Sequence, residues 1–299
     1  MSALSFKYQG VCMDQNMANR IMTTLANIEY LGSTPDLSMK LLSKVKDEKS
    51  SVDDIAAVIL PSPSLCASLL RLANSVYYSR GTVITTISHA IVHLGLDAVV
   101  NYVFALEMMN TFRSSLNQGG FNSTMFWKSS LAGALLAQEL AIKGTIEDDE
   151  TGPETAFISG LLRDIGVLVL RQYFPDIFLE VCNCVYKGGQ SFDQACKTAC
   201  TLDHRSIAFL LGARWNLPAK IMATFQIPSA YTKDYQSLIQ YRNMVLYSDY
   251  LLKINKVFLW DANAVPDQSI GIMTYISAEE IEPIIFRINS EVDEFFNIM

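Results

Sequence analysis

The sequence has almost no segments in which apolar and polar residues alternate, and such alternation is the pattern of a half-buried β-strand. Apolar residues instead recur at spacings of three and four, as in SVDDIAAVIL, SLCASLLRLA and FWKSSLAGALLAQELA. This spacing is typical of amphipathic helices. Ser51 with Asp54 resembles a capping box, and Asp203 or Thr201 could start the helix HRSIAFLLGARW. Hydrophobic residues make up 50% of the 299 residues, which is enough to bury a large core. We therefore predict an all-α protein.

A contiguous basic segment is also missing. The 23 Lys and Arg side chains are scattered singly, and the formal net charge is −7. Acidic and basic side chains are equally numerous in residues 1–120, so the acidic excess lies in the rest of the chain. Because an acidic surface repels phosphate backbones, we expect no nucleic-acid partner.

Neither a secretory signal nor a membrane span is evident. The N-terminal segment MSALSFKYQG lacks the basic and apolar regions of a signal peptide. The most apolar stretch, AIVHLGLDAVVNYVFALEMM, is interrupted by His93, Asp97, Asn101 and Glu107, which are costly in hydrocarbon. We interpret it as a buried core helix, and we expect a cytoplasmic protein without membrane insertion.

The six cysteines follow no regular framework, which fits a reducing compartment. Four of them lie in CNC at 182–184 and CKTAC at 196–200, which raises the question of a zinc site. A regular helix points Cys182 and Cys184 about 200° apart, so it cannot present both thiols to one ion. We interpret all four as core or half-buried thiols.

The segment HAIVH spaces His89 and His93 one helical turn apart, as in HExxH metalloproteases. Ala90 occupies the position of the general-base glutamate in that motif. Ile87, Ile91 and Leu94 share one helical face, so the two histidines are expected on the opposite, solvent-facing side. The sequence also has no nucleophile elbow and no glycine-rich phosphate loop.

Seven helical segments follow one another in a fixed order along the chain. They begin with TPDLSMKLLSKV, the run from SSVDDIAAVIL to LANSVYYS, and TTISHAIVHLGLDAVVNYVFALEM. They continue with FWKSSLAGALLAQELA, AFISGLLRDIGVLVL, LDHRSIAFLLGARWNLPAKIMATF and MVLYSDYLLKI. These segments and their order resemble the HDOD family, the HD-related output domains of bacterial signalling proteins. The resemblance implies an N-terminal helical lobe packed on a degenerate HD-type lobe.

The resemblance also implies boundaries. Residues 25–255 form the HDOD-like domain, with the first lobe at 25–115 and the second at 122–255, and polar and glycine residues in SSLNQGGFNST separate them. Residues 1–24 have no readable role, and residues 256–299 are expected to be an extension that ends in a helix. The acidic loop GTIEDDETGP is expected to be solvated.

An active HD enzyme resembling this chain would carry metal ligands at six positions. Here Ser129, Arg163 and Gln226 stand where that resemblance places histidines, whereas Asp164, His204 and Asp249 remain. The candidate remnant pocket consists of Trp127, Ser129, Arg163, Asp164, His204 and Asp249.

Arg163 is the most informative of these departures. A guanidinium has donors only and a permanent positive charge, so it would repel a divalent ion. We predict that Arg163 is the counter-ion of Asp164 and Asp249 and that no metal or other cofactor is bound. The alternative is that the two carboxylates only cap or bridge helices.

The segment LANSVYYS is expected to have a structural role at the seam between the lobes. Asn74 and Ser75 end a helix, where short polar side chains satisfy free carbonyls. Tyr77 adds apolar bulk with a polar tip. A partner surface at this seam is the alternative.

Three functions remain open. The leading hypothesis is a non-enzymatic signalling module that binds a protein partner or a small ligand. The second is a divergent HD phosphohydrolase or phosphodiesterase with metal on Asp164, His204 and Asp249. The third is a structural scaffold, which the absence of a concave pocket near Trp127 and His204 would favour.

Overall fold

The computed structural model is all-α over the residues it describes, and no strand occurs among them. The described residues are 20, 21, 23–25, 36–45, 47, 49–75, 78, 81, 83–112, 120–143, 152–215, 217–227, 235–261, 263–266, 270 and 276–298. The all-α prediction is therefore confirmed.

Among the described residues, the first lobe includes the helices α1 (Asp36–Val45), α2 (Val52–Ile59), α3 (Pro63–Ala73), α4 (Ile87–Leu94) and α5 (Leu96–Thr111). Ser51 and Asp54 close a reciprocal capping box at the start of α2, as predicted. Helix α5 is buried along most of its length because it packs on α1, α3 and α4 as well as on the second lobe.

Eight helices form the second lobe. They are α6 (Ser123–Ile142), α7 (Pro153–Leu162), α8 (Ile165–Tyr173), α9 (Pro175–Tyr186), α10 (Phe192–Cys200), α11 (His204–Arg214), α12 (Ala219–Phe225) and α13 (Tyr235–Ile254). Asp203 caps α11 by accepting a hydrogen bond from the Ser206 amide, which confirms one of the two predicted starts of this helix. Thr201, the other candidate, instead ends α10 in a left-handed conformation.

Two glycines permit the close packing of the second lobe. A Cβ on Gly166 in α8 would lie 1.8 Å from the His204 carbonyl oxygen, so only glycine lets α8 and α11 approach this closely. A Cβ on Gly133 in α6 would lie 2.3 Å from Arg163 Nη1. The second glycine thus leaves room for a buried guanidinium.

Helix α14 (Ala278–Ile298) packs on α6 of the second lobe and on α3 of the first. Its Glu291 is buried and accepts hydrogen bonds from the hydroxyls of Tyr78 at 2.7 Å and Tyr102 at 2.5 Å. The ring of Tyr102 also stacks on Phe295 with centroids 5.1 Å apart. The region expected as a C-terminal extension therefore fastens the two lobes together.

The apolar stretch interpreted as one core helix consists of two helices. Gly95 has a positive φ of 89° and separates α4 from α5. Across the described part of the chain, no single helix has both the length and the apolarity to cross a membrane. Helices α4 and α5 meet both criteria only as a pair, and they are bent by 111° at the break.

The polar residues predicted for the seam lie within the first lobe. Asn74 ends α3 and donates from Nδ2 to the carbonyls of Leu70 and Ile84, each at 2.7 Å, so the expected carbonyl contact is confirmed. Ser75 is buried. Tyr77, much of the predicted lobe boundary and most of the acidic loop lie outside the described residues.

Candidate functional site

The segment GLLRDIG breaks into two helices, and the break lies inside the second lobe. Helix α7 ends at Leu162 and α8 begins at Ile165, so Arg163 and Asp164 occupy the junction. Arg163 is 1% exposed and Asp164 is 5% exposed. Since a buried charge without a partner is strongly unfavourable, the neighbours of these two residues determine what the site can do.

The guanidinium of Arg163 lies between two carboxylates. Its Nε is 3.3 Å from Asp249 Oδ1 on α13 and 3.4 Å from Asp164 Oδ2. These distances confirm the predicted pairing of Arg163 with both aspartates. Helix α8 follows Asp164, but the side chain of this residue makes no capping hydrogen bond, so helix capping does not account for it.

The remaining donors of Arg163 point at α6 and α7. Nη2 donates to the carbonyl and to the hydroxyl of Ser129, each at 3.1 Å. Nη1 donates to the Gly160 carbonyl at 2.8 Å and makes a longer contact of 3.4 Å with that of Ser130. Ser129 thus belongs to the site as an acceptor for the arginine.

A lysine one helical turn beyond Asp249 adds a second cation. Lys253 Nζ lies 2.7 Å from Asp249 Oδ2. Burial raises the pKa of Asp249, but Lys253 and Arg163 outweigh this effect and lower it below its usual value. The carboxylate of Asp249 is therefore ionised and held between two cations.

His204, the first residue of α11, bridges two carboxylates. Its Nε2 is 3.0 Å from Asp164 Oδ1, and its Nδ1 is 2.7 Å from Asp193 Oδ1, although the second contact is poorly angled for a hydrogen bond. Burial lowers the pKa of His204, but Asp193 and Asp164 outweigh this effect and raise it to about 10. The imidazole is consequently a cation at neutral pH.

The histidine and the arginines also act on their acidic partners. Burial raises the pKa of Asp164, yet Arg163 and His204 lower it well below its usual range. Burial likewise raises the pKa of Asp193, but His204 and Arg205 outweigh this effect and lower that pKa well below its usual range. Each acid in this cluster is therefore ionised because a cation contacts it or lies near it.

A cavity of about 130 Å³ opens beside this cluster. Ser129, Asp164, His204 and Asp249 form part of its wall. The rest is formed by the start of α10, by Arg205 and Lys253, and by residues after α13, which include Leu259, Trp260, Asp261 and Val265. The site is thus a concave pocket lined by both charged and apolar side chains.

The residues present do not fit a divalent metal. Asp164 directs one oxygen at Arg163 and the other at His204, and Asp249 directs its two oxygens at Arg163 and Lys253. A protonated His204 has no lone pair to offer. Within the described part of the chain, no group of three or more His, Cys, Asp or Glu side chains converges as metal ligands would.

Four of the six residues predicted for the pocket line the cavity, namely Ser129, Asp164, His204 and Asp249. Arg163 does not line it but contacts Ser129, Asp164 and Asp249. Trp127 is not among the residues that line the cavity, because its ring is buried against Phe126 with centroids 5.6 Å apart. The tryptophan of the cavity is Trp260. Gln226 ends α12 in an extended conformation and is not a lining residue either.

Several residues of the site were not predicted. Lys253 follows Asp249 by four residues in a predicted helix, and Arg205 follows His204 directly, so both had a sequence signal. Asp193 and Asp261 had none, because only the folding of distant segments brings them to the cavity.

Predictions about the other histidines and the cysteines have mixed outcomes. His89 is exposed as expected, but His93 is half-buried, with Nε2 2.8 Å from the carbonyl oxygen of Tyr78. The solvent-facing prediction is wrong for His93 because the backbone of Tyr78 contacts its ring. Cys182, Cys196 and Cys200 are buried and Cys184 is half-buried, all as free thiols, which confirms their interpretation.

Comparison of the sequence with models of protein families identifies a family to which the chain belongs. A family model described as the HDOD domain matches residues 31–229. A curated but uncharacterized protein of Treponema pallidum (strain Nichols) is 21% identical over 230 residues, which are 75% of this chain and 43% of that protein. The chain thus spans less than half the length of this curated relative.

Solved structures share the fold. An HDOD domain protein of unknown function from Geobacter sulfurreducens has a TM-score of 0.74 and 22% identity, over 93% of this chain and 99% of that one. A Marinobacter aquaeolei VT8 protein, provisionally described as a signal transduction protein, has a TM-score of 0.70 and 18% identity, over 96% and 66%.

A third structure, from Shewanella amazonensis SB2B, is provisionally described as a phosphohydrolase. It has a TM-score of 0.67 and 22% identity, over 93% of this chain and 97% of that one. At these identities the three structures establish the fold alone.

Proposed function

This chain belongs to the HDOD domain family, and from that premise we propose that it is a signalling module that works by binding and breaks no bond. Its partner is a signalling protein or a small ligand, and the pocket beside Arg163 and His204 is the proposed binding site. We place this activity in the cytoplasm and assign it no nucleic-acid partner.

One observation carries the proposal: the guanidinium of Arg163 lies between the two carboxylates that a metal would need. An internal cation balances the two negative charges but supplies neither a Lewis acid nor an activated water. A hydrolase with this arrangement would have no means of generating its nucleophile from bound metal. The retained pocket is available for binding instead.

A divergent phosphohydrolase is the second candidate. It is favoured by the convergence of Asp164, His204 and Asp249 at one cavity and by the fold shared with the Shewanella protein. It would require Arg163 to leave its two carboxylates and His204 to lose its proton. A purely structural scaffold is less consistent with the molecule, because a concave pocket is present.

The test is to restore the missing histidine. Arg163→His is expected to remain inactive with added manganese on bis(4-nitrophenyl) phosphate and on nucleotides, because Ser129 and Gln226 also differ from an active HD site. Release of nitrophenolate or phosphate is measured for the wild type and the variant. Turnover by the wild type would favour the hydrolase, and turnover by Arg163→His alone would show that one residue had been limiting.

A further inference from the structure

We propose that the cavity binds the carboxylate of a small organic acid and that Arg205 is the principal donor to it. This inference rests on the proposed function, because it names the class of ligand for the same pocket. Its evidence is the state of the Arg205 side chain, the balance of charge around the cavity, and the chemistry of the cavity wall.

Arg205 differs from the other cations of the site in having no hydrogen-bond acceptor. Arg163 and Lys253 contact carboxylates at 3.3 and 2.7 Å, respectively. Arg205 is half-buried and lines the cavity, yet its Nε is buried without an acceptor, and no described residue accepts a hydrogen bond from its guanidinium. A half-buried guanidinium with free donors is suited to a planar carboxylate, which it binds through two parallel hydrogen bonds.

The position of Arg205 also favours an anion. It is the second residue of α11, and the first residues of α10 also line the cavity. The positive ends of both helix dipoles therefore lie at the cavity. Nearby carboxylates of Asp193 and Asp164 keep the guanidinium charged, although neither accepts a hydrogen bond from it.

The charge of the ligand follows from the charges already present. The positive groups at the site are Arg163, Arg205, Lys253 and the protonated His204, and the negative groups are Asp164, Asp193, Asp249 and Asp261. Because these formal charges balance, any bound anion adds negative charge to the site. A singly charged carboxylate adds half as much as a doubly charged phosphate, and the acids of the site therefore repel it less.

The apolar residues that line the cavity determine which group the ligand carries besides its carboxylate. Leu252, Leu259, Trp260, Ala264 and Val265 line the cavity, and Leu259 and Val265 are 36% and 77% exposed. An apolar ring or short chain would remove these side chains from water. A volume of about 130 Å³ accommodates a body of that size.

The experiment titrates the 299-residue wild-type chain with benzoate, acetate and inorganic phosphate at constant ionic strength. Ligand-observed NMR gives the Kd of each ligand. Benzoate is expected to bind more tightly than acetate, and phosphate more weakly than benzoate. Arg205→Gln and Arg205→Lys are each expected to weaken benzoate about tenfold or more, since both lose the paired hydrogen bonds. The matched control is Arg71→Gln, which changes an exposed arginine in α3 and should leave the Kd unchanged.

The melting temperature of each variant without ligand shows whether it is folded. If Arg205→Gln does not fold, Arg205→Lys decides the role of this residue, and if neither folds, the wild-type order of affinities decides the ligand class. The inference is overturned if wild-type protein shows no saturable benzoate binding, if phosphate binds more tightly, or if a folded Arg205→Lys binds like the wild type. Manganese-dependent hydrolysis, assayed on the same samples, would overturn the proposed function instead.

Discussion

Arg163 is the residue on which the charge balance of the second lobe depends most. It is 1% exposed and donates to carbonyls of α6 and α7 while it neutralises Asp164 and Asp249. Its removal would leave two buried carboxylates short of a counter-ion. In the buried environment of this lobe, that loss is far more costly than the loss of a surface ion pair.

We predict that Arg163→Ala lowers the free energy of unfolding by about 2 to 4 kcal/mol. Urea denaturation followed by circular dichroism measures the change. Arg71→Ala, which truncates an exposed arginine, should change the same quantity by less than about 0.5 kcal/mol. A change as small as this in Arg163→Ala would mean that the guanidinium does not hold the two carboxylates.

His204 predicts a dependence of stability on pH. Burial lowers the pKa of its imidazole, but Asp193 and Asp164 raise it to about 10, well above the ordinary value of 6.5. Below pH 6.5 the ring is protonated in both states and its ion pairs stabilise the fold fully. As pH rises toward 10, the unfolded chain has already lost the proton, so the stabilisation by His204 declines.

We therefore expect His204→Gln to be less stable than the wild type near pH 6, and this difference to shrink as pH approaches 10. Urea midpoints of both proteins across this range provide the measurement. The control, His89→Gln, changes an exposed histidine and should follow the wild type at every pH. A difference that stays constant with pH would show that the buried ring is neutral.

At the scale of helices, local sequence signals predicted where several elements begin. Ser51 with Asp54 and Asp203 with Ser206 are short-range caps, and both occur as the sequence indicated. The break of one apolar stretch into α4 and α5 was not predicted, because it depends on the positive φ of Gly95. The position of α14 was not predictable either, since it depends on contacts with residues far away in the chain.

Helix α14 gives a prediction of its own. Tyr102 donates a hydrogen bond to the buried Glu291 and stacks on Phe295, so Tyr102→Phe retains the ring and removes only the hydroxyl. The free energy of unfolding is expected to fall by about 1.5 to 3 kcal/mol, which is typical when a hydrogen bond to a carboxylate is lost.

A double-mutant cycle with Glu291→Gln tests the origin of that loss, because the two changes should be non-additive if they affect one contact. Tyr186→Phe, at a 46% exposed position, serves as the control and should have little effect. Additive effects of Tyr102→Phe and Glu291→Gln would mean that the contact does not fasten α14 to the first lobe.

For the molecule as a whole, the sequence predicted the fold class and the polar centre of the second lobe but not the completed pocket. The polar centre was predictable because its residues lie in the seven segments that resemble one family. These residues are Ser129, Arg163, Asp164, His204 and Asp249. The apolar wall at 259–265 was not, because it belongs to a region outside that resemblance. Trp127 was predicted to line the pocket but packs on Phe126, because the sequence of a buried helix does not show toward which neighbour a large side chain points.

The central claim is that Arg163 takes the place of a metal and leaves a site that binds without catalysis. Its most direct test is elemental analysis of the purified wild-type chain after incubation with manganese or zinc and removal of free ions. We predict less than stoichiometric metal, in parallel with an unchanged melting temperature in the presence of either ion, because an ion that does not bind the native state cannot stabilise it. One tightly held ion per chain, lost in Asp164→Ala together with hydrolytic activity, would contradict the account and identify a hydrolase.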